Sequence, residues 1–326
     1  MEPLDAEAYA RAVLTYLAEP GDLLLAQLVR AGGAAQVVAA VRSGRRPVIP
    51  PGADPAVVQR ALARWQARLR TAPARDEVLA LGGRGIRLIC PGDAEWPAQL
   101  AGLGDAQPYA LWLRGNGDLR AGCARSVAIV GSTAATAYGS YVAAELAASV
   151  AAGCLAVASG GSFGIEAAAC RGVLAAEGAS LCVLPCGVDV AHPPQHAELF
   201  EALAHQGVLV SELPPGSPAS RPRYLARARL LAALPSSMVV VEAHERSGAM
   251  TAARWARDLG RSLMAVPGPV TSGMSAGSHH IIREWRGALV TCAADVLELA
   301  AARPARPSQR PALGPGAAGW ELEAGS

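Results

Sequence analysis

The chain of 326 residues contains no lysine, so all 29 of its basic side chains are arginines. A Walker A phosphate loop requires a lysine, and Schiff-base enzymes such as those using pyridoxal phosphate require an amine nucleophile. ATPases of the P-loop kind and Schiff-base enzymes are therefore excluded. Aromatic residues are also scarce, at 4% of a chain that is 52% hydrophobic. The apolar excess is therefore aliphatic, and alanine is its commonest residue.

Long hydrophobic runs and secretion signals are absent as well. The best candidate for a membrane span, residues 142–158, has only 17 residues and contains Glu145, so a buried helix and strand fit it better. The first ten residues are acidic and lack a basic and a hydrophobic region, so we expect no signal peptide. The seven cysteines are odd in number and scattered, which indicates reduced thiols. We predict a cytoplasmic protein without a membrane partner.

Two glycine-rich turns follow two apolar runs in the middle of the chain. Residues 127–130 lead into Gly131-Ser132 and an alanine-rich helical segment, and residues 155–158 lead into Ser159-Gly160-Gly161 and a second helix near Gly164. This pattern predicts a βαβ unit with neighbouring parallel strands. Both turns would lie where helix N-termini attract anions. We expect a ligand that carries phosphate, although no G-x-G-x-x-G fingerprint of a dinucleotide site is present.

Strands and helices alternate over about 170 residues, with further strands predicted at 180–184, 207–210, 237–242 and 262–266. The predicted fold class is α/β, an extended Rossmann-like, doubly wound, mostly parallel sheet with a small N-terminal helical domain. The predicted units are a helical domain at 1–75, the Rossmann-like domain at 76–300, and a tail at 301–326. The tail is rich in Pro, Gly and Ala, and we expect it to be disordered.

The segment 160–164 also matches G-x-S-x-G, the nucleophile elbow of α/β-hydrolases, with Ser162 as nucleophile. Asp189 or Asp258 and His279 are available to complete a triad. No oxyanion segment of the HGGG type precedes the motif, so we predict no hydrolase activity from it.

A zinc site is suggested by Cys182, Cys186, His192 and His196, which are spaced C-x3-C-x5-H-x3-H. Cys182 lies in a predicted strand, which carries the second cysteine about 13 Å away at roughly 3.3 Å per residue. Two thiolates each about 2.3 Å from one zinc ion cannot be that far apart. We predict neither a metal nor a cofactor.

Four arginines lie within nine residues around Tyr224: Arg221, Arg223, Arg227 and Arg229. The cluster leads into the apolar run 230–234, and arginines that enter a buried segment need anionic partners from the protein or from a ligand. Tyr224 adds a stacking face for a base. We favour a phosphate-backbone site, and the alternative is a structural ion-pair network.

A third turn of the same kind, Ser247-Gly248, opens a helix that contains Thr251. Because it follows another predicted strand of the sheet, we expect Gly131, Gly160 and Gly248 to converge on one groove.

As an ordered set, these residues resemble the DprA (Smf) family of DNA-processing proteins. The resemblance runs from about residue 96 to 299, and its most specific pieces are 127–131, 159–165, Arg227-x-Arg229, 247–251 and 266–268. It implies a protein of natural transformation that binds and protects single-stranded DNA, loads the recombinase RecA, forms a homodimer and has no enzymatic turnover. More faintly, the N-terminal helices resemble the family's small domain of the SAM or helix-hairpin-helix type.

The resemblance also implies which residues bind DNA or phosphate. None of these residues is implied to be catalytic or to bind a metal. The implied DNA- or phosphate-binding residues are Gly131, Ser132, Ser159, Gly160, Gly161, Gly164, Glu166, Arg221, Tyr224, Arg227, Arg229, Ser247, Gly248 and Thr251. The chain departs from the family at Thr133, Glu166, Cys170 and Ala228, where Arg, Asp, His and Asn are usual.

The alternative function is a phosphoribohydrolase-type enzyme that cleaves nucleoside monophosphates on a lysine-decarboxylase-like scaffold. Such enzymes resemble this chain in their glycine turns, but they require a P-G-G-x-G-T loop with a carboxylate shortly after it. Here Thr251 is followed by Ala252, Ala253 and Arg254. The catalytic acid is lacking at that place, so we favour the DNA-binding function.

Overall fold

The structure is a computed structural model that describes residues 4–49, 51–52 and 54–301. The predicted tail at 301–326 lies outside these residues, apart from Ala301.

The first described elements are helices that pack around a core of their own, which includes Leu14, Val41 and Trp65. Asp5, Asp22 and Asp54 precede three of them, and each carboxylate accepts a hydrogen bond from a first-turn N–H. The helices are α1 (Ala6–Leu17), α2 (Leu23–Gly32), α3 (Ala34–Ser43) and α4 (Pro55–Leu69). A fifth helix, α5 (Arg75–Ala80), follows, and its buried Val78 packs in a core of the sheet instead. The predicted helical segments are confirmed, and the division of the chain at residues 75 and 300 stays a prediction.

A nine-stranded sheet follows, in the order β1-β2-β6-β5-β4-β3-β7-β8-β9. The strands are β1 (Ile86–Ile89), β2 (Leu111–Arg114), β3 (Ser126–Val130), β4 (Ala156–Ser159), β5 (Ser180–Val183), β6 (Val208–Ser211), β7 (Ser237–Val240), β8 (Ser262–Ala265) and β9 (Ala288–Leu289). Strands β3 to β9 are parallel, and β1 and β2 add an antiparallel edge beside β6. The predicted extended Rossmann-like fold is confirmed.

Helices cover both faces of this sheet, so β3 to β7 are buried throughout. This is why these strands are continuous apolar runs in the sequence rather than alternating ones. The helices are α6 (Leu119–Ala124), α7 (Ala137–Ala152), α8 (Ile165–Ala175), α9 (Ala197–Gln206), α10 (Arg221–Ala233), α11 (Gly248–Asp258), α12 (Ala276–Glu284) and α13 (Ala293–Ala301).

The N-terminal helices dock on the antiparallel edge of the sheet and on α10. The Trp112 indole N–H donates to the Thr15 hydroxyl at 3.2 Å, and the Tyr109 hydroxyl donates to the Asp22 carbonyl at 2.7 Å. Arg223 at the start of α10 pairs with Glu19 at 2.9 Å. No single helix in the described ranges is long and apolar enough to cross a membrane. Only α2 and α3 taken together reach the necessary length and apolarity, and that pair is bent by 109°.

Candidate functional site

The loops at the carboxyl ends of the central strands meet where the strand order reverses between β3 and β7. In doubly wound sheets this switch point is the usual place for a ligand. We call the loops 131–136, 160–164, 241–247 and 266–275, which follow β3, β4, β7 and β8, the carboxyl edge.

Backbone hydrogen bonds join these loops to one another. The Ser132 N–H donates to the Glu242 carbonyl at 2.7 Å, and the Ile165 N–H donates to the Ser132 carbonyl at 3.1 Å. The Ala243 N–H donates to the Met274 carbonyl at 2.8 Å, which ties in the loop after β8. The structure thus brings the turns at Gly131, Gly160 and Ser247-Gly248 to one edge.

Gly164 is required by the contact between the first two loops. Its φ is +72°, and a Cβ at this position would lie 2.7 Å from the Thr133 carbonyl oxygen. Only glycine combines that conformation with so close an approach.

Arg227 lies inside the protein, where its side chain is 8% exposed. Its guanidinium pairs with Glu166 at 2.9 Å and donates to the Gly160 carbonyl at 2.9 Å. Glu166 in turn accepts the Ser162 N–H at 3.1 Å. The prediction that Arg227 contacts phosphate is therefore corrected: its charge is buried and neutralised, and it holds the loop after β4 in place.

Arg229 is also buried, with 4% of its side chain exposed, and it pairs with buried Glu212 at 2.6 Å. Its Nε donates to the Ala106 carbonyl at 2.9 Å. Burial raises the pKa of Glu212, and the Arg229 charge opposes that rise. The prediction of a phosphate contact is corrected here too, because the structural ion pair is what the structure contains.

Arg221 is the member of the cluster that remains exposed, and within the described residues it forms no ion pair. Tyr224, one turn later, is half-buried; its ring lies 5.0 Å from the Arg227 guanidinium and 5.9 Å from the His192 ring. Burial raises the pKa of Tyr224. Arg223 is occupied by Glu19, whose pKa it lowers chiefly through its hydrogen bond.

Glu242, which is not among the predicted site residues, fixes the start of α7. Its buried carboxylate accepts the Thr136 N–H at 2.9 Å and the Thr136 hydroxyl at 2.7 Å, while that hydroxyl caps α7 at Gly139. Thr136 is 106 residues away in sequence, so no local pattern connects the two residues.

Phe163 and Arg246 are not among the predicted site residues either, and both are exposed at the carboxyl edge. Phe163 is 47% exposed and packs edge-on against His196, with ring centroids 4.8 Å apart. Arg246 lies just before the first turn of α11 and forms no ion pair with any described residue. An exposed aromatic residue in a chain poor in aromatics was the available signal for Phe163.

A serine hydrolase triad is not assembled in the described part of the chain. Asp189 pairs with Arg84 at 3.3 Å, Asp258 with Arg257 at 2.9 Å, and His279 with the Gly268 carbonyl at 3.0 Å. Ser162 is itself 4% exposed. Neither a partner base nor access for a substrate is available to it.

The four residues with zinc-like spacing make other contacts. Residues 4–301, as far as described, contain no group of three or more side chains that could hold a metal ion. His196 Nδ1 lies 2.9 Å from the Gly161 carbonyl. Burial raises the pKa of Cys186 to about 12, and a hydrogen bond with Cys170, together with burial, raises that of Cys182.

Comparison with known proteins finds relatives over most of the chain and solved structures that share its fold. The model of the DNA recombination-mediator protein A family matches residues 87–301. The DNA processing protein DprA of Mycobacterium tuberculosis is 43% identical over 306 residues, which cover 90% of this chain and 75% of that protein. Protein Smf of Escherichia coli is 36% identical over 64% of this chain and 56% of its own length.

Solved structures of two DNA processing proteins share this fold. The DNA processing protein A of Streptococcus pneumoniae superposes with a TM-score of 0.69 at 25% identity, over 90% of this chain and 97% of its own. That of Helicobacter pylori, whose structure concerns its single-stranded DNA binding mode, superposes with a TM-score of 0.58 at 22% identity. This superposition covers 65% of the present chain and 94% of the Helicobacter pylori chain, and it shows a shared fold.

Proposed function

Because this chain belongs to the DNA recombination-mediator protein A family of DprA and Smf proteins, we propose that it binds single-stranded DNA at the carboxyl edge. The Helicobacter pylori protein of the same fold binds single-stranded DNA.

The observation that carries the proposal is the charge arrangement at this edge. The N-termini of α8 and α11 open there, and Arg246 lies just before α11. Arg221 begins α10, the helix that Arg227 joins to the loop after β4. Neither Arg221 nor Arg246 forms an ion pair with described residues. Glu166, in the first turn of α8, would repel phosphate, but buried Arg227 neutralises it. The edge therefore presents helix-terminal N–H groups and free guanidinium groups to a phosphate backbone.

A competition experiment tests this function. A fluorescent 20-nucleotide strand is titrated with the protein, and the complex is then challenged with unlabelled single strand or with blunt duplex of the same sequence. Single strand should compete much better, because duplex bases are stacked on each other and unavailable to Tyr224 and Phe163. Equal competition by duplex, or no binding at all, would refute the proposal.

The same membership supports delivery of the bound strand to RecA during natural transformation, and a homodimer as the working form. A strand-exchange assay with RecA and single-strand-binding protein tests delivery: adding this protein should shorten the lag before exchange. Multi-angle light scattering tests the dimer, and a monomer mass with and without oligonucleotide would contradict it.

We further propose that the protein acts without catalytic turnover and in the cytoplasm. Seven free cysteines, five of them buried, suit a reducing compartment. The carboxylates of Glu166 and Glu242 are occupied by Arg227 and Thr136, and no acid follows directly after Thr251, which disfavours a phosphoribohydrolase. Release of ribose 5-phosphate from nucleoside monophosphates would contradict the absence of turnover. Recovery of the protein outside the cytoplasmic fraction would contradict the cytoplasmic location.

A further inference from the structure

The chain places all of its exposed aromatic side chains, among the residues that the structure describes, at or beside the carboxyl edge. They are Phe163, Tyr138 and Tyr141, with exposed fractions of 47%, 48% and 69%. The chain has only 14 aromatic residues, as two Phe, six Tyr and six Trp. In such a chain, three exposed rings at one edge indicate a binding surface rather than scattered surface residues.

The two tyrosines form a stripe on the first turns of α7, directly after the loop that follows β3. They are three residues apart, so their side chains lie on one helical face, while Gly139 and Ala143 on another face are buried. The Tyr138 hydroxyl donates to the Pro267 carbonyl at 3.2 Å. That bond holds the Tyr138 ring towards the loop after β8, whereas Phe163 lies on the loop after β4.

Between these aromatic positions lies the loop after β7, where Arg246 is exposed beside exposed Glu245 and just before the N-terminus of α11. A Cβ at Gly248 would meet no atom within 4 Å, so the first turn of that helix is open to a ligand. Rings on both sides of an exposed arginine and an open helix N-terminus match a polymer that alternates flat bases with phosphates.

We propose that Tyr138 and Tyr141 form a second base-stacking site, so that the strand crosses the carboxyl edge from the loop after β4 to the start of α7. This inference rests on the proposed function. The bases stack on Phe163 at one side and on the tyrosine stripe at the other, and Arg246 binds the phosphates between them. Tyr138 contacts the loop after β8, so the width of the crossing is the distance from β4 to β8. Three strand spacings of about 4.8 Å separate these strands, which makes the crossing about 14 Å wide.

Substitution of Tyr141 tests the stacking site. Tyr141→Leu removes the ring and should weaken binding of a 20-nucleotide strand about tenfold without changing the salt slope, because stacking depends little on salt. Tyr141→Phe should bind like the parent. Val57→Ala, at a 42%-exposed position on α4, is the matched control for loss of exposed apolar surface, and it should also bind like the parent.

Photocrosslinking supplies a readout that a structural role would not move. A strand that carries 5-iododeoxyuridine should crosslink to Tyr138 or Tyr141 as well as to Phe163, with the residue assigned by mass spectrometry. If the parent binds the strand but Tyr141→Leu binds equally well and no tyrosine crosslinks, the inference fails and the proposed function stands. A Tyr141→Leu protein of altered oligomeric mass but unaltered affinity would assign the stripe to self-association and overturn the inference. If the parent binds no single strand, both fail.

Discussion

Burial decides what each arginine of α10 can do. Arg227 is buried and paired with Glu166, whereas Arg221, about two turns earlier on the same helix, is exposed. Arg227 instead connects α10 to the loop after β4 through the Gly160 carbonyl. We therefore infer that Arg227 supports DNA binding indirectly, by positioning that loop and cancelling the Glu166 charge.

Replacing Arg227 should therefore reduce stability. Arg227→Met leaves Glu166 buried without a partner, which should lower the free energy of unfolding by about 3–5 kcal/mol. Urea denaturation measures this, with exposed Arg254→Met as control, expected to stay within about 0.5 kcal/mol of the parent.

The double variant Arg227→Met/Glu166→Met separates the two explanations. It removes both charges together and should recover most of the lost stability, since a buried pair replaced by apolar groups is often neutral. An Arg227→Met protein that is as stable as the parent but binds DNA with a flatter salt slope would mean that the guanidinium is a direct phosphate contact.

At the scale of elements, the contact between the loops after β3 and β4 is the feature on which the site depends. Gly164→Ala should both strain a φ of +72° and push the Thr133 carbonyl away, so DNA affinity should fall with stability. Gly85 is the matched control, because its φ is +70° but a Cβ there would meet no atom within 4 Å. Gly85→Ala should lower the melting temperature and leave affinity unchanged; equal affinity of both variants would contradict this role of the loop contact.

Docking of the N-terminal helices on α10 should depend on pH through Glu19. Arg223 lowers the pKa of Glu19, so the stabilisation is complete above the ordinary value of 4.5 and is lost as the pH falls through the lowered pKa. Because the pair is half-exposed, its size should stay below about 1 kcal/mol. A double-mutant cycle with Glu19→Gln and Arg223→Gln measures a coupling at neutral pH, which should vanish in acid. A coupling that grows in acid would show that the charge pair is not its source.

Elements with a strong local pattern could be predicted from the sequence, and contacts between distant residues could not. Strands β3 to β8 are runs of buried apolar residues, and the glycine turns mark their ends. Strand β9 has two residues and therefore carries no pattern. The carboxylate that neutralises Arg227 belongs to Glu166, which lies 61 residues away in the chain. The sequence therefore indicated that Arg227 needs an anionic partner, but not that the protein itself supplies it.

For the molecule as a whole, the burial of the cysteines predicts how the thiols react. Cys154 and Cys292 are exposed and the other five cysteines are buried. An aromatic disulfide reagent should therefore modify two thiols rapidly in the folded protein and the remaining five only on unfolding. Rapid reaction of more than two thiols would contradict the described packing.

The central claim is that single-stranded DNA binds at the carboxyl edge, and the salt dependence of the affinity tests it most directly. For the double variant Arg221→Gln/Arg246→Gln, the slope of log affinity against log salt should be flatter than that of the parent by about 1.4, at roughly 0.7 for each lost contact with a single strand. The matched variant Arg60→Gln/Arg120→Gln, at exposed arginines away from the edge, should keep the parent's slope. Equal slopes for all three proteins, or a flatter slope only in the matched variant, would contradict a binding site at this edge.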